Sequence, residues 1–377
     1  MEFRDLKSQY RKYKNEIDAA IQEVIVNTNF IGGKEVRVLE EQLAEYVGVK
    51  HCISCANGTE AMTLVMMAWD IKEGDVVFVP DFTFFSTGEI VSFRGATPIF
   101  VDVDRQTFNI DTCKLEKTIQ KVLEEGKLTP KVIIPVDLFG LPADHYEVNR
   151  IAKKYNLLVL EDAAQGFGGS INCKMACSFG DAATTSFFPA KPLGCYGDGG
   201  AIFTNNDKLA ELLNSYKVHG KGDNKYDNVR VGVNSRLDTI QAAILSVKLT
   251  AFIEHELDDV NKVYKWYNGK LGDVVEIPVI PEGYISSFAQ YTIKLKNKEE
   301  RDMLQAKLKE QGIPSMIYYV KPMHKQEAFS DLDFSDYNYK VTNILCETVL
   351  SLPMNPYMSE EDIKKISKII IEVLKSK

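Results

Sequence analysis

The sequence of 377 residues predicts an α/β protein, a mainly parallel sheet covered by helices on both faces and followed by a smaller α+β lobe. Two observations carry this expectation. Residues 76–80, 97–101, 131–136, 157–161, 182–187 and 201–204 are short apolar runs bounded by turn residues, the pattern of buried strands. Between most of them lie stretches with helical spacing, 59–69, 112–125 and 143–155, and such alternation belongs to parallel strands joined by crossover helices.

In chain order, residues 6–26 have the spacing of one amphipathic helix, ended by Asn27, Thr28, Asn29 and the pair Gly32-Gly33. A second helix runs through Tyr46, and residues 51–56 look like a strand. The strands and helices named above occupy the chain as far as Thr204. After residue 236 the pattern changes to a long helical region, 237–257, running on towards Tyr267. A Pro-rich strand-like stretch, an alternating run 288–295, a charged helix 299–311, a strand-like piece 315–320 and a final helix from Glu360 complete the chain. This places a large domain over 1–250 and a small C-terminal α+β domain over 251–377, with neither internal repeats nor low-complexity segments.

Apolar residues at 45% and charged residues at 26% are ordinary for a soluble globular protein. With 45 basic against 53 acidic side chains, the net charge of -8 argues against nucleic acid or an anionic membrane as the main partner. No apolar run approaches the roughly 20 residues of a membrane span, and the start lacks a secretory h-region, so a cytoplasmic protein is expected. Seven cysteines are an odd count that suits reduced thiols. Cys52 and Cys55 form a C-x-x-C, but residues three apart on a strand face opposite sides, so no metal site is expected there.

Lys191 lies in Ser186-Phe187-Phe188-Pro189-Ala190-Lys191-Pro192-Leu193-Gly194, after a strand-like run and before Gly197-Asp198-Gly199-Gly200. A lysine fixed between prolines and glycines at the end of a buried strand can be desolvated and become a nucleophile, although alone it reads as a solvated charge. Glu161-Asp162-Ala163-Ala164-Gln165 changes that balance, because Asp162 directly follows a buried strand and needs a specific partner. Together they suggest pyridoxal phosphate (PLP), with a lysine for the Schiff base and an acid to keep the pyridine nitrogen protonated.

Other groups fit the same site, each with a plainer reading beside it. Asn57-Gly58-Thr59-Glu60-Ala61 opens a helix whose free amides and Thr59 hydroxyl suit a phosphate, or simply cap a turn. Ser186 offers a second hydroxyl, and Phe84 follows a strand where an aromatic can stack on a flat ring or pack in the core. Gln165 is placed to reach the ring's phenolic oxygen. Asn234 and Arg236 precede the long helix and either cap it or reach the phosphate of another active site. The chain has no G-x-G-x-x-G after the first strand, no G-x-x-x-x-G-K-[ST] loop and no G-x-S-x-G elbow.

In order and over nearly the whole chain, these motifs resemble those of the DegT/DnrJ/EryC1/StrS family of sugar aminotransferases, including Gly232-Val233-Asn234-Ser235-Arg236, Tyr318-Tyr319-Val320-Lys321-Pro322-Met323-His324 and Leu352-Pro353-Met354-Asn355-Pro356-Tyr357. The resemblance implies an aspartate-aminotransferase-like (type I) fold and a homodimer with active sites at the interface. It implies PLP on Lys191, ring-nitrogen contact to Asp162, stacking on Phe84 and a ring-oxygen contact to Gln165. Phosphate contacts fall to Gly58, Thr59, Ser186 and, from the partner subunit, Asn234. The implied substrates are L-glutamate and a nucleotide-linked keto sugar, with His219, Arg236, Tyr318 and His324 as substrate contacts that could equally be structural. One departure concerns the nucleophile loop, where many members carry a Lys-Asn pair. Here Lys191-Pro192-Leu193-Gly194-Cys195-Tyr196-Gly197-Asp198-Gly199 resembles the branch that aminates 3-keto sugars, including UDP-2-acetamido-3-keto-glucuronate. The alternatives are a 4-keto-sugar aminotransferase, a sugar dehydratase, whose relatives generally have histidine at the nucleophile position, and a non-catalytic sensor of nucleotide sugars.

Overall fold

The computed structural model describes residues 1–224 and 226–375. Seven strands form the main sheet: β1 (His51–Cys55), β2 (Asp75–Pro80), β3 (Thr97–Val101), β4 (Thr129–Ile133), β5 (Leu158–Asp162), β6 (Ala182–Ser186) and β7 (Gly200–Thr204). Their spatial order is β1-β7-β6-β5-β4-β2-β3, and β7 alone runs against its neighbours. The sheet is mixed but mainly parallel and helix-covered, as the alternation of patterns predicts.

Its strands are mostly buried, and most of their residues are apolar. Along β2, Val77 and Val79 pack with helix Gly58–Ala68 on one face, while Val76 and Phe78 pack with helices Thr112–Glu125 and His145–Tyr155 on the other. The same parity separates Cys52, packed with Phe203, from Cys55, packed with Ile53 and Ile202. A further core gathers Tyr267, Tyr291, Ile293, Leu350, Leu352 and Ile366 around the antiparallel pair Tyr291–Lys294 and Val349–Leu352.

Several expected elements differ, among them the strand expected at 131–136, which runs Thr129–Ile133. The N-terminal helix is two, Leu6–Lys12 and Lys14–Asn27, because Tyr13 leaves helical geometry at φ -113° and ψ 22°. The i−4 hydrogen bonds run on across it, from Tyr13 N–H to the Gln9 carbonyl and from Ile17 N–H to the Tyr13 carbonyl, and Gln9 in the first helix is buried and donates to the Glu256 carboxylate at 3.0 and 3.1 Å. Residues 315–320 make one bridge, Met316 to Ser351, instead of a strand. Their aromatic side chains pack against Phe82 and Phe139 while the backbone finds no second strand to extend the ladder. The long helical region resolves into Thr239–Ala251, a π turn at Phe252–Glu256, and Leu257–Leu271. Among the described residues no helix is long and apolar enough to cross a membrane.

Candidate active site

At the carboxyl ends of the parallel strands lies a cavity of about 910 Å³ lined by Gly58, Thr59, Phe84, Gln165, Ser186, Lys191 and Tyr318. This is where loops of an open α/β sheet converge.

Lys191 sits on the turn after β6, closed by its own N–H donating to the Phe188 carbonyl at 2.8 Å. Burial holds its ammonium below the ordinary lysine range, and Asp162 opposes that shift. A lysine so placed loses its proton more readily than a surface one.

Asp162 ends β5 beneath the cavity, on the same face as Leu160 and helix Gly58–Ala68. Thr87 Oγ1 donates to its Oδ2 at 2.9 Å, and the Ala164 N–H to its Oδ1 at 3.1 Å. Burial raises its pKa, while the Ala164 amide, the Thr87 hydroxyl and Lys191 pull the other way. A buried carboxylate answered by two neutral donors retains capacity for a cation.

Helix Gly58–Ala68 begins at Asn57, whose side chain accepts the Glu60 N–H at 2.8 Å and leaves the first-turn amides of Gly58 and Thr59 without an i−4 acceptor. Gly58 lets this helix start approach β6, since a Cβ there would lie 2.8 Å from Ser186 Cβ. Two hydroxyls and open amides at a helix start therefore face one end of the cavity, which suits a phosphate. Phe84 is 55% exposed, unlike its buried neighbour Phe82, and its ring is free to meet a ligand. A desolvated amine, a carboxylate with spare capacity for a cation, a free aromatic and an anion cradle together fit PLP.

Gln165 is held at both ends: its Oε1 accepts the Phe139 N–H at 2.9 Å and its Nε2 donates to Tyr319 Oη at 3.0 Å. Burial drives the Tyr319 phenol well above its ordinary range. The structure thereby adds Tyr319 and Thr87 to the residues the sequence singled out.

The remaining expected residues lie elsewhere in this chain. Asn234 and Arg236 line an adjoining cleft of about 400 Å³ that shares Asp198 with the main cavity. His219 lines a separate surface depression with Lys221, Asn228 and Val231. His324 turns away from the cavity: its Nδ1 is 2.7 Å from Asp81 Oδ2, its N–H donates to Asp81 Oδ1 at 2.8 Å, and its ring stacks on Tyr339 at 4.2 Å. Asp81 is itself raised by burial against the pull of His324.

Sequence reading also missed a buried cluster on the opposite face of β5. His145 Nε2 is 2.7 Å from Asp137 Oδ1 and 3.8 Å from Glu161 Oε1. Burial pushes Glu161 up to about 7, with His145 opposing; burial alone would lower His145, but Asp137 and Glu161 outweigh it and hold the imidazole above its usual value. The three side chains stand within metal-ligand reach of one another. Asp137 also accepts the Ala143 amide, and Glu161 accepts the amides of Cys177 and Phe179.

Residues 11–371 match the profile of the DegT/DnrJ/EryC1/StrS aminotransferase family. The chain belongs to that family. It is 46% identical to the UDP-2-acetamido-2-deoxy-3-oxo-D-glucuronate aminotransferase of Pseudomonas aeruginosa over 97% of this chain and 98% of that one. A DegT DnrJ EryC1 StrS aminotransferase from Brucella abortus superposes with a TM-score of 0.97 at 47% identity, covering 99% of both chains. NtdA of Bacillus subtilis, solved with bound cofactor PMP, superposes with a TM-score of 0.86 at 28% identity over 97% of this chain and 82% of that one. The fold of this family member is therefore that of the aspartate-aminotransferase-like (type I) enzymes.

Proposed function

We propose that this protein is a PLP-dependent aminotransferase that moves an amino group from L-glutamate to a UDP-linked 3-keto sugar, such as UDP-2-acetamido-3-keto-glucuronate. The observation that carries the reading is a desolvated Lys191 lining the cavity within electrostatic reach of the buried Asp162 beneath it, in a chain 46% identical to an aminotransferase named for a 3-oxo-glucuronate.

PLP, when bound, supplies a protonated pyridine ring that draws electrons from the carbon being deprotonated. Lys191 Nζ would hold the coenzyme aldehyde, and as a free amine it would take up and return the donor's α-proton. Its lowered pKa favours the neutral amine that this work needs. Asp162 would accept the ring N–H, and the Thr87 hydroxyl and Ala164 amide favour its ionised form against the pull of burial. Phe84 would stack on the ring, and Gln165, held by Tyr319, would face its oxygen. Gly58, Thr59 and Ser186 would hold the phosphate. The keto sugar would meet Tyr318 in the cavity lining.

Asn234, Arg236 and His219 belong, in this reading, to the site of a second copy. Exposed apolar side chains line their clefts, Ile31 at 47% beside Asn234 and Arg236 and Val231 at 89% beside His219, which favours a homodimer. His324 serves by bracing the loop that carries Tyr318 and Tyr319 against Asp81. A cytoplasmic setting completes the reading.

The test is a panel of UDP-, dTDP- and GDP-linked 3- and 4-keto sugars with glutamate, read by mass. Amination of a UDP-linked 3-keto sugar is expected. Amination of 4-keto sugars alone would overturn the branch assignment, and release of 2-oxoglutarate without an amino sugar would overturn sugar amination.

A further inference from the structure

Outside the cavity, the backbone of the nucleophile loop meets charges that the proposed mechanism does not use. Arg4 Nη2 donates to the Lys191 carbonyl at 3.1 Å and to the Pro192 carbonyl at 3.4 Å. Lys248, buried in helix Thr239–Ala251, donates its Nζ to the Gly194 carbonyl. Both cations feel the buried carboxylate of Glu256, which sits on the π turn and also accepts from Gln9 and the Tyr357 hydroxyl. The N-terminal segment is itself tied down, because Asp5 caps the first helix through Ser8 and the Phe3 carbonyl accepts the Met354 N–H at 3.3 Å.

This arrangement answers a local problem. Pro192 brings no N–H and the chain around it is neither helix nor strand, so its carbonyls have no ladder to join. The loop is also tightly folded, for a Cβ at Gly194 would fall 2.5 Å from the Pro189 carbonyl oxygen. Guanidinium can bridge two adjacent carbonyls where an ammonium answers one.

We infer that Arg4 is a positioning residue for the Lys191 amine: from outside the cavity, the N-terminal segment clamps the two carbonyls at the nucleophile and so fixes where Nζ points. This rests on the proposed role of Lys191. Loss of the clamp displaces the amine from its line of attack while leaving the coenzyme and substrate contacts in place. A displacement on the ångström scale at a reacting group slows chemistry by roughly tenfold to a hundredfold.

The experiment is the single-turnover reaction of PLP-loaded enzyme with glutamate, followed by the visible absorbance of the coenzyme, in wild type, Arg4→Met and Arg4→Lys. Lys7→Met is the control, since the Lys7 side chain forms an exposed pair with Glu2 among the described residues. Arg4→Met is expected to slow the limiting rate at least about tenfold with KM for glutamate within about twofold, and Arg4→Lys to recover part of that loss. The pH midpoint of the bound coenzyme's absorbance should shift in Arg4→Met and not in Lys7→Met. A rate and midpoint in Arg4→Met equal to wild type would overturn the inference, as would a change confined to thermal stability. Should Arg4→Met be insoluble, Arg4→Lys decides by the same comparison, because it keeps the charge and loses the fork. Failure of the wild type to react with glutamate would instead strike the proposed function.

Discussion

Gly58→Ala tests the anion cradle most directly. The added Cβ falls 2.8 Å from Ser186 Cβ and 3.4 Å from Ser186 Cα, whereas carbon atoms rest at about 3.5–4.0 Å. Either the helix start or the end of β6 must give by about 1 Å at the nearer contact. Overpacking of this kind costs about 1–3 kcal/mol. Because Ser186 is not the mobile end of a long side chain, the relief comes from parting the two elements whose hydroxyls and amides face the phosphate. Losing one charge-assisted hydrogen bond, about 1.5–3 kcal/mol, weakens coenzyme binding by about tenfold to a hundredfold. The assay is a titration of coenzyme-free protein with PLP, with circular dichroism confirming that the variant folds. Gly269→Ala is the companion: a Cβ there meets nothing within 4 Å on helix Leu257–Leu271, so PLP affinity should be unchanged and stability should rise by about 0.4–1 kcal/mol. A folded Gly58→Ala protein with wild-type PLP affinity would refute the assignment of the phosphate to this cradle.

Lys191→Ala should leave no coenzyme adduct after borohydride reduction, as read by the mass of the tryptic peptide, while wild type gains one at that residue. Asp162→Asn should keep the side chain's shape and lose its charge, lowering kcat by about 10²–10³-fold in steady-state assays, with the Thr87 hydroxyl left donating to a neutral oxygen. Glu161→Gln addresses pH. The native carboxyl, raised to about 7 from 4.5, holds its proton more tightly than the unfolded one, so stability falls as pH rises through that window. His145, also raised, adds to the loss above its unfolded value of 6.5. Thermal melts between those limits should show a decline in wild type and a flatter profile in Glu161→Gln; equal slopes would remove Glu161 as the cause.

How much of this was legible in the sequence follows from how local each signal is. The strands were readable because burial on both faces leaves uninterrupted apolar runs, as in β2. The grouping of Lys191 with Asp162 was readable because β5 and β6 are neighbours and their exits meet above the sheet. The break at Tyr13 was not, since no Pro or Gly stands there, and the contact that holds the first helix runs from Gln9 to a carboxylate 247 residues away in sequence. Residues 315–320 alternate like a strand, but a ladder needs a partner, and only Met316 finds one. Thr87 carried no distinguishing pattern, being one hydroxyl at a helix start, and Tyr319 lay within a quoted motif without a role of its own. His324 was singled out from its motif, yet its partner Asp81 lies 243 residues distant, and that pairing turns the ring away from the cavity. Asn234 and Arg236 show a different limit: sequence cannot say whether a residue serves its own chain's site or another's.

The adjacent acids Glu161 and Asp162 make β5 its own error check. One carboxylate is received by amides and an imidazole on one side of the sheet, the other by a hydroxyl on the far side. A slip of one residue would deliver each to a pocket built for its neighbour, and misdirected buried charges cost several kcal/mol apiece. The nearest wrong alignment of the central strand is thus penalised twice over, so deletions just upstream of residue 158 should be tolerated far less well than substitutions there.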